Sequence, residues 1–167
     1  MTSRFILMSI DIGVMPTFEL ASEKYRDSII EMYIHDIEDN QNSARKFADD
    51  LIQRLKTILC IANDEIIGTI SWEVRGGLED GIVELVAMGV KSIHRRRGIG
   101  LNLFTKMLDS AKALFSESHL KLRIVYLFME YQNQTARKFY ESLGFTEDSR
   151  LSKFYPSDDA SIWILRL

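Results

Sequence analysis

Residues 82–115 read IVELVAMGVKSIHRRRGIGLNLFTKMLDSAKALF. Ile82 to Val90 is a near-continuous apolar run interrupted by Glu84, the pattern of a buried strand. From Gly98 onward Leu101, Phe104, Met107, Leu108, Ala111 and Phe115 recur at helical spacing and predict an amphipathic helix. Between the two stand Arg95-Arg96-Arg97-Gly98-Ile99-Gly100. Glycines let backbone N–H groups approach an anion without a Cβ in the way. A helix N-terminus adds unpaired donors and the positive end of a dipole. Guanidinium groups add fixed charge and forked donors that suit phosphate. The blander use of the same residues is a basic loop that caps a helix, with Gly98 relieving strain.

The spacing narrows the anion. A dinucleotide fingerprint requires a third glycine where Leu103 stands, and a P-loop requires Lys after its last glycine, where Leu101 stands. What remains is a diphosphate cradle of the form Arg-x-x-Gly-x-Gly.

Working outward, Thr17 to Ala21 reads as a short strand, and Ser22 as the N-cap of a helix with Tyr25, Ile29, Met32 and Tyr33 along one side. A second helix is expected from about Ser43, burying Phe47, Leu51, Ile52 and Leu55. Ile58 to Ala62 and Ile66 to Val74 form a hairpin about Asn63-Asp64. Gly76-Gly77 and Gly81 bracket a loop before residue 82. Arg123 to Met129 reads as a strand, and Asn133 as the cap of a helix that buries Ala136, Phe139, Tyr140 and Leu143 and stops at Gly144. Strands near Phe145 to Leu151 and Ala160 to Leu167 close the chain. The order is β-α-α-β-β-β-α-β-α-β-β, an α/β (α+β) layer architecture.

A length of 167 residues suits one domain, read as residues 17–167, with residues 1–16 an arm or an extra strand. A net charge of −3 disfavours broad nucleic-acid binding and suits a basic acceptor such as an amine. The lone cysteine, Cys60, allows no disulfide within the chain and fits a reducing, cytoplasmic setting. Arg4 and Asp11 frame only six uncharged residues, so no signal peptide is expected, and no apolar run approaches the ~20 residues that span a bilayer. His35, His94 and His119 show no ligand spacing, so no metal is expected. The oligomeric state is left open, a homo-oligomer included.

Arg95, Gly98 and Gly100 after the apolar strand match the [Q/R]-x-x-G-x-[G/A] signature of the GCN5-related N-acetyltransferase superfamily, which the chain resembles. A second block of that family, N-x-x-A-x-x-[F/L]-Y-x-x-x-G-F, is matched by Asn133, Ala136, Phe139, Tyr140, Gly144 and Phe145. Both blocks stand in order and the element order agrees, so the resemblance covers about residues 17–167. It implies a central, mostly antiparallel mixed sheet of about seven strands flanked by four helices, and acetyl-CoA as cofactor. It also implies roles by position. The β-strand segment Met88-Gly89-Val90 would pair with the pantetheine arm. Arg95, Arg96, Arg97, Gly98, Ile99, Gly100 and Leu101 would hold the diphosphate. Asn133 and Tyr140 would meet the cofactor arm.

Transfer to an amine needs a base, because a lysine amine titrates near ~10.4 and an α-amino group near ~7.7–8.0. Glu84, the one acid in its strand, is the candidate, six residues before Val90 where several family members carry a catalytic Glu or His; Glu130 is the alternative. A family branch that acts on ribosomal-protein termini carries its glutamate where this chain has Phe128, so that assignment does not transfer. Tyr140 is the candidate acid for the leaving thiolate, since a phenol titrates near ~10. Cys60, in an apolar strand, reads as an inert buried thiol.

Lys153-Phe154-Tyr155-Pro156-Ser157-Asp158-Asp159-Ala160 resembles the K-Y-Y loop of protein N-terminal acetyltransferases, where the aromatic pair contacts the acceptor peptide. That implies Phe154 and Tyr155, with Glu130, as acceptor-binding residues and a protein or peptide N-terminus as acceptor. Other readings are a small-amine acetyltransferase acting on a polyamine, amino sugar or amino acid, a non-catalytic acetyl-CoA-binding module, and nucleic-acid binding through residues 94–97. The basic cluster for the last is short and lacks interleaved aromatics.

Overall fold

A computed structural model describes residues 15–167; the reading of residues 1–16 therefore lies, except for Met15 and Pro16, outside the described residues. The elements are β1 (Thr17–Leu20), α1 (Arg26–Asp36), α2 (Gln41–Asp49), β2 (Lys56–Ala62), β3 (Glu65–Val74), β4 (Ile82–Val90), α3 (Ile99–Glu117), β5 (Ile124–Glu130), α4 (Gln134–Ser142), β6 (Thr146–Leu151) and β7 (Ala160–Arg166). They match the expected order. The strands form one sheet in the order β1-β2-β3-β4-β5-β7-β6. Every pairing is antiparallel except β4 with β5, whose connection runs through α3 as a parallel crossover requires.

Local chemistry sets most boundaries. Asn63 and Asp64 both take positive φ, 51° and 61°, the backbone a two-residue hairpin turn needs. Asn40, not a residue near Ser43, starts α2: its Oδ1 accepts from the N–H groups of Asn42 and Ser43. Ser22 is no side-chain cap. Its carbonyl closes a single 3-10 turn onto Tyr25, and α1 begins at Arg26, beyond the reach of its hydroxyl.

The core has two layers. On one face of the sheet α3 packs Leu103, Met107, Ala111 and Phe115 against Cys60, Ile70, Trp72, Val83, Leu85, Val125 and Leu127. On the other, Ile29 of α1, Ala48 of α2 and Leu51 pack on Leu59 and Ile66. Leu101, expected on the buried face of α3, is 53% exposed, and Ile99 and Leu103 are buried instead. Residues 99, 103, 107 and 111 form one row at the i+4 interval, and Leu101 points away from that row.

Two irregularities in the sheet prepare a site. Ser71 of β3 pairs with Ala87 of β4 and Trp72 pairs with Leu85, so Val86 is an extra residue, a β-bulge. The bulge flips the side-chain parity of β4. Before it, Val83 and Leu85 face α3; after it, Met88 and Val90 do. The second irregularity is a fork. β4 and β5 pair only over Ile82–Ile124, Val83–Val125 and Glu84–Tyr126. Beyond that point β4 stays bonded to β3 as far as Val90, and β5 to β7 as far as Glu130. The strands diverge, and the β5 side of β4 is left without a strand partner. Among the described residues no helix is long and apolar enough to cross a membrane.

Candidate active site

The fork opens into a cleft of about 890 Å³ between the end of β4, the first turn of α3 and α4. Of the residues expected at the cofactor, Met88, Gly89, Val90, Arg95, Arg96, Gly98, Ile99, Gly100, Leu101, Asn133 and Tyr140 line it. Arg97, also expected there, is exposed and is not among the lining residues. Its neighbours Arg96 and Gly98 take left-handed φ values of 64° and 79°. His94, Thr135, Ala136, Lys138, Phe139 and Ser142 also line the cleft. Ala136 lies on the side of α4 that Asn133 and Tyr140 mark, whereas Thr135, Lys138, Phe139 and Ser142 form a neighbouring row at i+3 and i+4 intervals, of which the motif marks only Phe139.

The loop fits a diphosphate. Among the described residues, no backbone carbonyl accepts from the N–H of any residue from Arg96 to Leu101. Unpaired donors at a helix start attract an anion. Gly98, the residue before α3, has no atom within 4 Å of where a Cβ would stand, so the space above the loop is open. At Gly100 a Cβ would meet Met88 Cε and the Phe139 ring at 3.2 Å, so a glycine there lets α3 start between the two walls of the cleft. Arg95 is braced, its Nε donating to Val90 O at 2.9 Å, which fixes the loop to the end of β4. Lys91, between β4 and the loop, is engaged elsewhere: its ammonium pairs with Asp36 at 3.2 Å and with Glu65.

Asn133 Oδ1 accepts from Ala136 N at 3.0 Å and caps α4. Tyr140 is 8% exposed and set edge-on to Phe139 and Phe145. Burial pushes its hydroxyl up to about 12, so it holds its proton throughout the neutral range.

The opposite face of the fork carries a second set of groups. Glu84, Tyr126 and Phe128 share this face by strand alternation, away from the buried row Val83, Leu85, Val125 and Leu127. Glu84 Oε2 accepts from Arg75 Nε at 2.6 Å and from Tyr126 Oη at 3.0 Å. Phe128 stacks on exposed Phe154 of the β6–β7 loop, centroids 5.5 Å apart and planes 4° apart. Phe154 meets Tyr155 edge-on at 5.2 Å. Burial raises the Tyr155 hydroxyl, and the charges of the Glu130 and Glu84 carboxylates raise it further. The structure thus separates the two expected catalytic residues. Tyr140 stands in the cleft, and Glu84 stands at the fork's apex on the other face. Sequence reading missed Arg75, Tyr126 and the use of Phe128; their meeting depends on strand register, and no motif marks it.

Comparison with known proteins agrees with this geometry. Residues 18–145 match the acetyltransferase (GNAT) family. The human protein N-alpha-acetyltransferase 30 is 32% identical over 100 residues, 58% of this chain and 25% of its own length, so the match spans about a quarter of that relative. The ribosomal-protein-S18-alanine N-acetyltransferase from Escherichia coli has a similar fold, with a TM-score of 0.71 at 20% identity over 91% of this chain and 94% of its own. So does Arabidopsis thaliana Naa50 in complex with the bisubstrate analogue CoA-Ac-MVNAL, with a TM-score of 0.69 at 23% identity over 92% of this chain and 100% of its own. A match over more than half of the chain, on a fork whose basic glycine turn meets a diphosphate's needs, makes this chain a member of the acetyltransferase (GNAT) family, whose acetyl donor is acetyl-CoA.

Proposed function

We propose that the protein transfers an acetyl group to the α-amino group of a protein or peptide N-terminus. The observation that carries the reading is the two-faced fork: an anion-holding cleft on one side, and a carboxylate and aromatic ledge on the other. Likeness to an N-alpha-acetyltransferase and to a fold crystallised with a peptide-bearing analogue supports the acceptor class.

Bound acetyl-CoA supplies an acetyl thioester. The unpaired N–H groups of residues 96–101, with Arg96, would hold its diphosphate, and the β4 segment from Ala87 to Val90, which has no partner on its β5 side, would supply backbone groups to the cofactor arm. Glu84 takes one proton from the acceptor ammonium, directly or through water, leaving a neutral amine to form the amide bond. Tyr140 Oη would give a proton to the sulfur as the C–S bond breaks, and the second proton that the nitrogen sheds on becoming an amide restores the phenol; the raised pKa keeps that hydroxyl protonated at neutral pH. Phe154 and Tyr155 flank the acceptor, and Glu130 stands beside Tyr155. Phe128 presents a ring, not a carboxylate, at its place on β5; Glu84 of β4 is the base in this reading, with Glu130 at the end of β5 the alternative.

The test is acetylation of peptides with free or blocked N-termini, each carrying an internal lysine. Product only from the free termini is expected. Equal rates on both, or saturation by a polyamine or amino sugar with peptides inert, would replace the acceptor class. Coenzyme A binding without turnover of any amine would leave a binding module.

A further inference from the structure

Strand register sets Glu73 of β3 opposite Glu84 of β4, and Glu84 opposite Tyr126 of β5. Two carboxylates directly across a ladder repel each other. Arg75, two residues after Glu73 and therefore on the same face, spans both. Its Nη2 lies 2.8 Å from Glu73 Oε1 and its Nε 2.6 Å from Glu84 Oε2. Tyr126 Oη donates to that same Oε2 at 3.0 Å. Glu84 Oε1 accepts no hydrogen bond from the described residues, although the side chain is only 13% exposed. Both donors therefore converge on one oxygen and leave the other free.

We propose that Arg75 is a positioning residue for proton transfer: with Tyr126 it pins Glu84 Oε2 and offsets Glu73, so that Oε1 is the oxygen that takes the acceptor's proton. This rests on the reading of Glu84 as base. One proton leaves the acceptor ammonium nitrogen and forms the Oε1–H bond, the nitrogen keeps its electron pair, and no further reactant is needed. The charged and titratable groups around Glu84 are Arg75 and Glu73 from β3, Tyr126 from β5 and Tyr155 from the β6–β7 loop. Arg75 remains cationic, its pKa raised chiefly by the hydrogen bond to Glu84. Without it, Glu84 keeps only the Tyr126 phenol as donor and faces the Glu73 carboxylate across the ladder, so the direction of Oε1 is no longer fixed. The Arg75 side chain is 46% exposed, so its ion pairs add little to folding and a loss of rate would not stem from a loss of fold.

Acetylation of a free-terminus peptide by wild type, Glu84→Gln, Arg75→Met, Arg75→Lys and Glu73→Gln/Arg75→Met, with kcat and KM measured separately for peptide and acetyl-CoA, tests this. Glu84→Gln should slow kcat/KM by on the order of a hundredfold; a rate equal to wild type would end the base reading and this inference with it. Given that loss, Arg75→Met should lower kcat about tenfold and leave both KM values near wild type, because a turned carboxylate misplaces the base without weakening binding. The melting temperature should stay within about 3 °C. Arg75→Lys should recover part of the lost kcat, and so should removal of the Glu73 charge in the double variant. A loss carried by KM, a kcat identical to wild type, or a double variant no better than Arg75→Met would overturn the positioning role while leaving Glu84 as base.

Discussion

Gly98 joins two demands at one residue: a φ of 79° that side chains resist, and open space where an anion would sit. Gly98→Glu places bulk and like charge in that space. Calorimetry should show coenzyme A affinity lowered by at least about a hundredfold, since juxtaposed like charges cost several kcal/mol; an unchanged affinity would mean that the diphosphate lies elsewhere. Tyr140 argues differently. Its proton is secure, pushed up to about 12 by burial, so Tyr140→Phe should lower kcat by about a hundredfold with the same ratio at pH 6.5 and pH 8.5, and leave coenzyme A affinity near wild type. A loss that grew with pH would contradict a donor that stays protonated. The loop glycines, Asn133 and Tyr140 were legible as sequence because their roles follow from residue type and close spacing. The place of Arg97 outside the cleft lining and the ion pairs of Lys91 were not, because spacing carries charge but not side-chain direction.

At the scale of elements, helix starts show what short-range chemistry can and cannot mark. Asn40 and Ser22 are both capping residue types ahead of a helix, yet only the Asn40 side chain accepts N–H bonds. Asn40→Ala should cost about 1 kcal/mol and lower the melting temperature by about 3 °C, whereas Ser22→Ala should change it by less than about 1 °C. Equal effects would show that the capping geometry does not hold in solution. The strands carry a parallel lesson. All seven were legible from apolar runs and turn residues, to within one or two residues at their ends. The extra residue Val86 and the separation of β4 from β5 after Glu84 were not. A bulge depends on which residue of a neighbouring strand stands opposite, and a sequence read one element at a time holds no register.

For the molecule as a whole, burial of weak acids ties stability to pH. Burial pushes the Cys60 thiol from 9.0 up to about 11 and the Tyr140 hydroxyl from 10.0 up to about 12. Both are neutral in the fold, and the unfolded chain releases their protons first. Their stabilisation is therefore complete below about pH 9 and is lost as pH rises through the 9–11 window for Cys60 and the 10–12 window for Tyr140. Chemical denaturation from pH 8 to pH 11 should show falling stability, and Cys60→Ala should remove up to about 1.4 kcal/mol per pH unit of the slope between pH 9 and pH 11. An unaltered slope in that variant would place the alkaline loss elsewhere. The sequence by itself determined the layer order, the basic glycine turn between strand and helix, the capped helix that ends in Tyr140 and Gly144, and the aromatic pair near its end. Each is a matter of residue type within a few positions, which local sterics and periodicity fix. Only the tertiary structure decided which faces these groups occupy and which distant residues meet. Arg75, Glu84 and Tyr126 come together across three strands although Glu84 and Tyr126 lie 42 residues apart. That meeting follows from hydrogen-bond register and from burial of both sheet faces, which only the whole packed chain sets.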